Sequence, residues 1–208
     1  NPNQNAGEIS TKGWELEASW REQVGDFNYS VAFNISDAKT VIDDLKGTQQ
    51  KGNLAKIEGG EFDEWYGYRA KGIYQNQQQV DNLPKMNSSV QIGDICYEDI
   101  SGPDGVPDGI ISDYDKVLLG GSLPRYTYGG NISLGYKDLD ISLAFQGVGK
   151  MKSRLSNVQV QPFMESGIGN VPKIIDGKFW SRNNTAEQNI AARYPRLSTS
   201  SASNNYTM

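Results

Sequence analysis

The feature that most constrains the fold is a strict alternation of apolar and polar residues, which occurs in four separate runs. The runs cover residues 14–21, 27–36, 126–137 and 139–146. Successive side chains of a β-strand point to opposite faces of a sheet, so this pattern predicts four strands with one apolar face each. Short connections, at Gln23-Val24-Gly25-Asp26 and at Lys137-Asp138, predict two antiparallel hairpins over residues 13–36 and 126–147.

Two architectures use strands of this kind. In a soluble β-sandwich the apolar face packs against a second sheet, whereas in a membrane β-barrel it meets lipid. Each predicted strand is about ten residues long and carries Trp or Tyr near its ends, as membrane-spanning strands do. The turns are short and the connection from Asp37 to Arg125 is very long, an asymmetry typical of outer-membrane barrels. The predicted fold class is all-β: antiparallel strands of a transmembrane β-barrel, present as a partial barrel with long extracellular loops.

Composition excludes several classes of function. The chain has 208 residues, no His and one Cys, which excludes a Ser-His-Asp triad, His-ligated metals and an internal disulfide. The formal net charge is −5, which argues against nucleic acid as a partner because phosphate binding needs a basic surface. The mean hydropathy of −0.60, with no long apolar run, predicts no transmembrane helix. We expect the chain not to be an enzyme.

The long connections contain weaker signals. Residues 66–74 are rich in Tyr and read as a further strand, whereas the Gln- and Asn-rich residues 75–87 read as a loop. Cys96 is expected to be a small packed side chain and not a reactive thiol. Residues 148–208 lose the alternation and are expected to form a second loop region.

An acidic loop lies between Asp94 and Asp115. It holds seven acidic residues and no Lys or Arg, and so many neighbouring carboxylates repel one another unless a cation neutralises them. Aligned on a 12-residue calcium loop, Asp104, Asp108 and Asp115 fall at positions one, five and twelve, and the carbonyl of Ile110 at position seven. Asp99 could supply a further oxygen. The sequence therefore predicts a Ca²⁺ site formed by Asp99, Asp104, Asp108, Ile110 and Asp115; the alternative is a solvated acidic turn without metal.

The same segment resembles a protein family. The residues that carry the resemblance are Gly93-Asp94-Ile95-Cys96-Tyr97-Glu98-Asp99, Asp108-Gly109-Ile110-Ile111, Asp115, Gly120 and Pro124, then Tyr136-Lys137-Asp138-Leu139-Asp140. In this order they resemble a sequence block of the SusC/RagA-type, TonB-linked outer-membrane proteins. Ser101 departs from the usual Asn of that block, and Pro103 to Pro107 stand as an insertion.

The resemblance implies a fold and a function for residues 1–208. They would be part of a single TonB-dependent-receptor-type β-barrel domain, in the C-terminal half of the barrel, without the plug domain and the closing strands. The complete protein would sit in the cell outer membrane, surrounded by its lipid, and import large nutrients, glycans or peptides. Its partners would be a SusD-like surface lipoprotein and, through the plug, the TonB complex. The alternative is a soluble, calcium-stabilised β-sandwich that binds glycans or mediates adhesion.

Overall fold

The computed structural model describes residues 7–154, 162–163 and 169–198. The chain divides into two compact units: a sheet unit, Asn1–Trp65 with Gly120–Ser153, and a loop unit, Tyr66–Leu119 with Arg154–Met208. In chain order the elements are β1 (Glu8–Val24), β2 (Phe27–Asp44), β3 (Gln50–Lys51), β4 (Leu54–Lys56), β5 (Glu64–Gly67), β6 (Ala70–Ile73), α1 (Gln77–Asn82), β7 (Ile95–Tyr97), a 3₁₀ turn (Asp113–Asp115), β8 (Val117–Gly121), β9 (Arg125–Tyr136), β10 (Leu139–Lys150) and α2 (Ala186–Ile190). Among the described residues, no helix combines the length and apolar character that crossing a membrane requires.

The sheet unit is built on one four-stranded antiparallel sheet in the order β1-β2-β9-β10. The two predicted hairpins are confirmed: β1 pairs with β2 and β9 with β10, each pair joined by a two-residue turn. Gly25 occupies the first turn with φ of 61°, a conformation that glycine adopts without steric cost. The inner strands β2 and β9 also pair directly, so the two hairpins form one continuous sheet although 80 residues separate Asp44 from Arg125 in the chain.

The strands are longer than the alternation predicts. β1 has 17 residues and β2 has 18, against about ten expected for each. Their extra pairs run from Gly13 opposite Ala38 to Ile9 opposite Ile42, at the end of the sheet away from the turns. Backbone pairing within a hairpin does not need alternating side chains, so the sequence pattern marked only the part of each strand with one apolar face.

An ion pair closes the base of the long connection between β2 and β9. Arg125 at the start of β9 makes a two-point contact with Asp37 of β2, at 2.5 Å from Nε to Oδ1 and 2.6 Å from Nη2 to Oδ2. The backbone N–H of Tyr126 also donates to Asp37, at 3.2 Å. Asp37 is buried and Arg125 nearly so, and two-point Arg–carboxylate contacts are geometrically specific. The pair fixes the point where β9 joins β2, next to the last β2–β9 backbone pair, Ser36 with Thr127.

The connection after β2 is more structured than the sequence suggests. Residues 66–74 do not form one strand: β5 ends at Gly67 and β6 begins at Ala70. The loop prediction for residues 75–87 is wrong at α1. Asn76 caps this helix by accepting a hydrogen bond from the Gln79 N–H at 2.9 Å, and Val80 is buried on its inner face.

The core of the loop unit is a small apolar cluster. Tyr74, Val80, Val90 and Cys96 are buried together, with Leu83 and Ile92 packed against them. Burial raises the pKa of the Cys96 thiol, so the thiol stays protonated and unreactive at neutral pH. The expectation that Cys96 is a small packed side chain is confirmed.

A glycine joins this core to the later part of the loop unit. Gly93 has φ of 90°, and its N–H donates to Tyr74 O while its carbonyl accepts from the Arg196 N–H at 2.7 Å. A Cβ at this position would overlap the ring of Trp180 and stand 2.9 Å from Cβ of Arg196. Only glycine therefore allows Trp180 and Arg196 to pack here.

Replacing Gly93 with alanine is expected to destabilise the loop unit by roughly 2–4 kcal/mol, because a positive φ and a steric overlap add together. Gly105→Ala is the matched control: Gly105 has φ of 77° but open space around it. This substitution should lower the stability of the loop unit only by the cost of the backbone strain, about 1 kcal/mol. Hydrogen exchange at the amides of residues 74 and 196 measures the difference. Equal effects of the two substitutions would contradict the packing argument.

Candidate functional site

The apolar sides of all four long strands lie on the same face of the sheet. Leu16 is opposite Ile35, which is opposite Tyr128; Val31 is opposite Ile132, which is opposite Leu143. The resulting apolar band consists of Trp14, Leu16, Ala18, Trp20, Phe27, Tyr29, Val31, Phe33, Ile35, Tyr128, Ile132, Leu134, Tyr136, Leu139, Ile141, Leu143 and Phe145. Along β2 it extends over about 26 Å, from Phe27 to Ile35.

The apolar band is exposed. Trp20 is 62% accessible, Leu139 60% and Leu143 57%, values far from those of a packed core. Aromatic residues lie near both edges of the band, with Trp14 and Tyr128 toward the long connection and Phe27 and Tyr136 toward the turns, whereas Trp20, Phe33 and Phe145 lie within it. A soluble protein rarely leaves so large an apolar area uncovered, whereas a lipid-facing wall requires it and places aromatics at both rims.

The opposite face of the sheet is polar. It carries Glu15, Glu17, Ser19 and Arg21 of β1; Asn28, Ser30, Asn34 and Ser36 of β2; Thr127, Asn131 and Ser133 of β9; and Asp140, Ser142 and Gln146 of β10. Hydroxyls pair across strands, as Ser36 Oγ does with Thr127 Oγ1 at 2.8 Å. A cavity of about 570 Å³ opens along β2, β9 and β10, with Asn34, Asn131 and Gln146 in its wall. This face is suited to water and to polar solutes.

The acidic loop is neutralised in part by basic residues that lie outside it in the chain. Arg196 Nε lies 2.6 Å from Asp94, Arg69 Nη1 lies 3.1 Å from Glu98, and Lys116 Nζ lies 2.8 Å from Asp113. Three of the seven acids therefore have a cationic partner. Sequence inspection missed these pairs because two of the partners are distant in the chain and the third follows directly after the loop.

Asp115 is fully buried and accepts three backbone hydrogen bonds. Its Oδ1 takes the N–H groups of Ile100 at 2.7 Å and Ser101 at 3.1 Å, and its Oδ2 takes that of Ser112 at 2.7 Å. Burial alone would raise the pKa of Asp115, but these donors, first that of Ser112, outweigh it and hold the pKa below its usual value. Asp115 is thus an ionised carboxylate that joins Ile100 and Ser101 to the last turn of the loop at Ser112.

The other predicted calcium ligands lie along the same loop. Asp99 Oδ2 accepts from the Gly109 N–H at 2.7 Å, and Asp108 Oδ1 accepts from the Ile110 N–H at 2.9 Å. Asp99 Oδ1 is buried without a hydrogen-bond partner, whereas Asp104 and Ile110 are exposed. In the part of the chain that the structure describes, no three His, Cys, Asp or Glu side chains are grouped to hold a metal ion. The calcium site stays a prediction.

Comparison with known proteins gives a consistent result. No model of a protein family matches the chain. Two curated proteins from Formosa agariphila are similar in sequence to the chain. "TonB-dependent receptor P26" is 32% identical over 155 residues, and "TonB-dependent receptor P3" is 31% identical over 156 residues. Each alignment covers 69% of this chain and 15% of the relative.

Two solved structures share the fold. The RagAB peptide transporter matches 93% of this chain with a TM-score of 0.64, and the RagAB peptide importer in its open-open state matches 70% with a TM-score of 0.53. Both are 17% identical to the chain, which covers 20% and 15% of their respective lengths. They support an antiparallel barrel-wall fold, and the predicted fold class is confirmed.

The exposed apolar band and polar opposite face define a piece of a β-barrel wall. The chain belongs to the TonB-dependent receptors, as the resemblance predicted, and spans about 15% of the length of its curated relatives. Those relatives are named as receptors, which agrees with the expectation that the chain is not an enzyme.

Proposed function

We propose that this chain is part of an outer-membrane, TonB-dependent importer of large nutrients, glycans or peptides. The observation that carries the proposal is the apolar band, continuous across four paired strands and backed by a polar face. Lipid would contact the band, and the polar face would line the lumen. The soluble β-sandwich alternative is disfavoured because the face it would have to bury is exposed.

The same proposal includes partners. A SusD-like surface lipoprotein would act at the outer side, and the TonB complex would act through a plug domain outside this chain. The names of the structural neighbours describe a peptide importer with two components, which supports a partner-assisted mechanism and favours peptides among the candidate nutrients.

Cysteine labelling in intact cells tests the orientation of the wall. The full-length receptor would carry either Asp104→Cys in the acidic loop or Asp138→Cys in the β9–β10 turn, with accessible cysteines outside this segment removed. Cys96 adds no background because it is buried. A membrane-impermeant maleimide should label Asp104→Cys and leave Asp138→Cys unlabelled until the cells are opened. The reverse pattern, or equal labelling of both, would refute the proposed orientation.

Uptake measurements test the transport function. Cells that carry the full-length receptor should accumulate fluorescent peptides or oligosaccharides from a defined mixture, and cells that lack it should not. Dissipation of the proton gradient should abolish uptake, since energy would reach the receptor through TonB. Uptake that is independent of the receptor or of the gradient would contradict the proposal.

The predicted Ca²⁺ site has its own test. We expect Ca²⁺ to raise the melting temperature of the full-length receptor, because Asp99 Oδ1 is a buried acceptor without a partner and Asp108 lies in the same loop. Asp99→Asn should weaken calcium binding at least tenfold, whereas Asp113→Asn, outside the predicted ligand set, should not. Titration calorimetry gives both affinities. The absence of a binding heat, or identical heats for both variants, would contradict the predicted Ca²⁺ site.

A further inference from the structure

Two lysines face outward just beyond the apolar band, at the end of the sheet away from the turns. Lys12 of β1 lies directly opposite Lys39 of β2, on the same face as Trp14 and one step past it on that face. Both are exposed, the side chain of Lys39 to 48%. Like charges placed directly opposite each other on a sheet repel. Glu61, 3.4 Å from Lys39, offsets only one of the two charges.

The acidic residues nearby are already engaged. Asp37 is held by Arg125 and by the Tyr126 N–H, and Glu61 lies 3.8 Å from Arg125 and 3.4 Å from Lys39. Within the described parts of the chain, Lys12 takes part in no ion pair. Asp37 and Arg125 are largely buried and offset each other. On the exposed side, Lys12 and Lys39 against Glu61 leave a surplus of one positive charge.

We propose that Lys12 and Lys39 bind the phosphate of an anionic lipid headgroup, an inference that rests on the membrane placement proposed above. The geometry favours a lipid over other anions because the lysines adjoin the aromatic rim of the band at Trp14. Acyl chains lying on the band would bring their headgroup to this level. Long lysine side chains reach such headgroups readily, and each contributes appreciably near an anionic membrane surface.

The test is a native mass spectrometry titration of the detergent-solubilised, full-length receptor with phosphatidylglycerol. Substituting both lysines, Lys12→Ala with Lys39→Ala, should raise the apparent Kd of the tightest bound lipid about tenfold. Lys150→Ala is the matched control, since Lys150 is an exposed lysine at the same end of the sheet on the polar side of β10. It should leave the Kd unchanged, and phosphatidylcholine should bind equally weakly to all three proteins.

Three outcomes would overturn the inference. They are an unchanged Kd in the double variant, an equal loss in Lys150→Ala, and displacement of the lipid by inorganic phosphate at the same concentration, which would show a site for free phosphate. Heat-modifiable migration on a gel would confirm that each variant is a folded barrel. A wild-type receptor that lacks this migration, or that does not reach the outer membrane, would refute the proposed function itself.

Discussion

Replacing Ile132 with arginine is expected to lower the free energy of unfolding of the full-length receptor in lipid by about 2–4 kcal/mol. Ile132 is at the centre of the apolar band, opposite Val31 on one side and Leu143 on the other. A guanidinium at this depth loses its hydration in the bilayer, and its cross-strand neighbours Val31 and Leu143 carry no charge that could pair with it. The effect should be largest at this level and fade toward the aromatic rims.

The neighbouring residue supplies the control. Ser133 follows Ile132 in β9 but points to the polar face, where Ser30 and Ser142 are its cross-strand neighbours. Ser133→Arg should change stability by less than 1 kcal/mol, because the lumen face is wet. Urea unfolding of the receptor in phosphatidylcholine vesicles, followed by tryptophan fluorescence, measures both. A larger loss for Ser133→Arg would mean that the assignment of the two faces is inverted.

The sheet could be predicted from the sequence because its signal is local. From Phe27 to Ser36 the apolar residues of one face alternate with polar residues and Ala32 on the other, and a one-residue shift in register would move the side chains of the band to the wet face. The register between β2 and β9 follows from the same requirement, that the apolar side chains share one face. This requirement can be applied only after both segments have been recognised as strands. The extensions of β1 and β2 beyond the band carry no such alternation, so their length could not be read from the pattern.

The acidic loop was harder to predict because its interactions are not local. From sequence, its seven acids seemed to need a cation, yet Arg69 and Arg196 lie well outside it and neutralise Glu98 and Asp94. The alignment on a calcium loop put Asp115 at the twelfth position, and that role stays a prediction. It could not show that both oxygens of this carboxylate already accept backbone N–H groups.

Replacing Asp115 with asparagine is expected to destabilise the acidic loop by roughly 2–4 kcal/mol. The amide keeps one acceptor oxygen, but its NH₂ group faces a backbone N–H that then has no acceptor. Asp115 is fully buried, and an unsatisfied buried donor carries its full desolvation cost. Hydrogen exchange at the amides of Ile100, Ser101 and Ser112 should show faster opening in the variant.

The pH dependence of amide protection tests whether the ionised carboxylate of Asp115 is what holds the acidic loop closed. The folded-state pKa of Asp115 is held below that of an unfolded Asp, about 3.9, so its contribution is present above that pH and is lost as the pH falls through the folded-state pKa. Protection of the three amides in the wild type should therefore hold from pH 7 to about 5 and fall only in stronger acid. Asp115→Asn should lack this acid transition, whereas Asp104→Asn, an exposed acid of the same loop, should retain it. If Asp115→Asn kept the wild-type transition, a different group would be tying the loop together, and the three hydrogen bonds to Asp115 would not be what holds it closed.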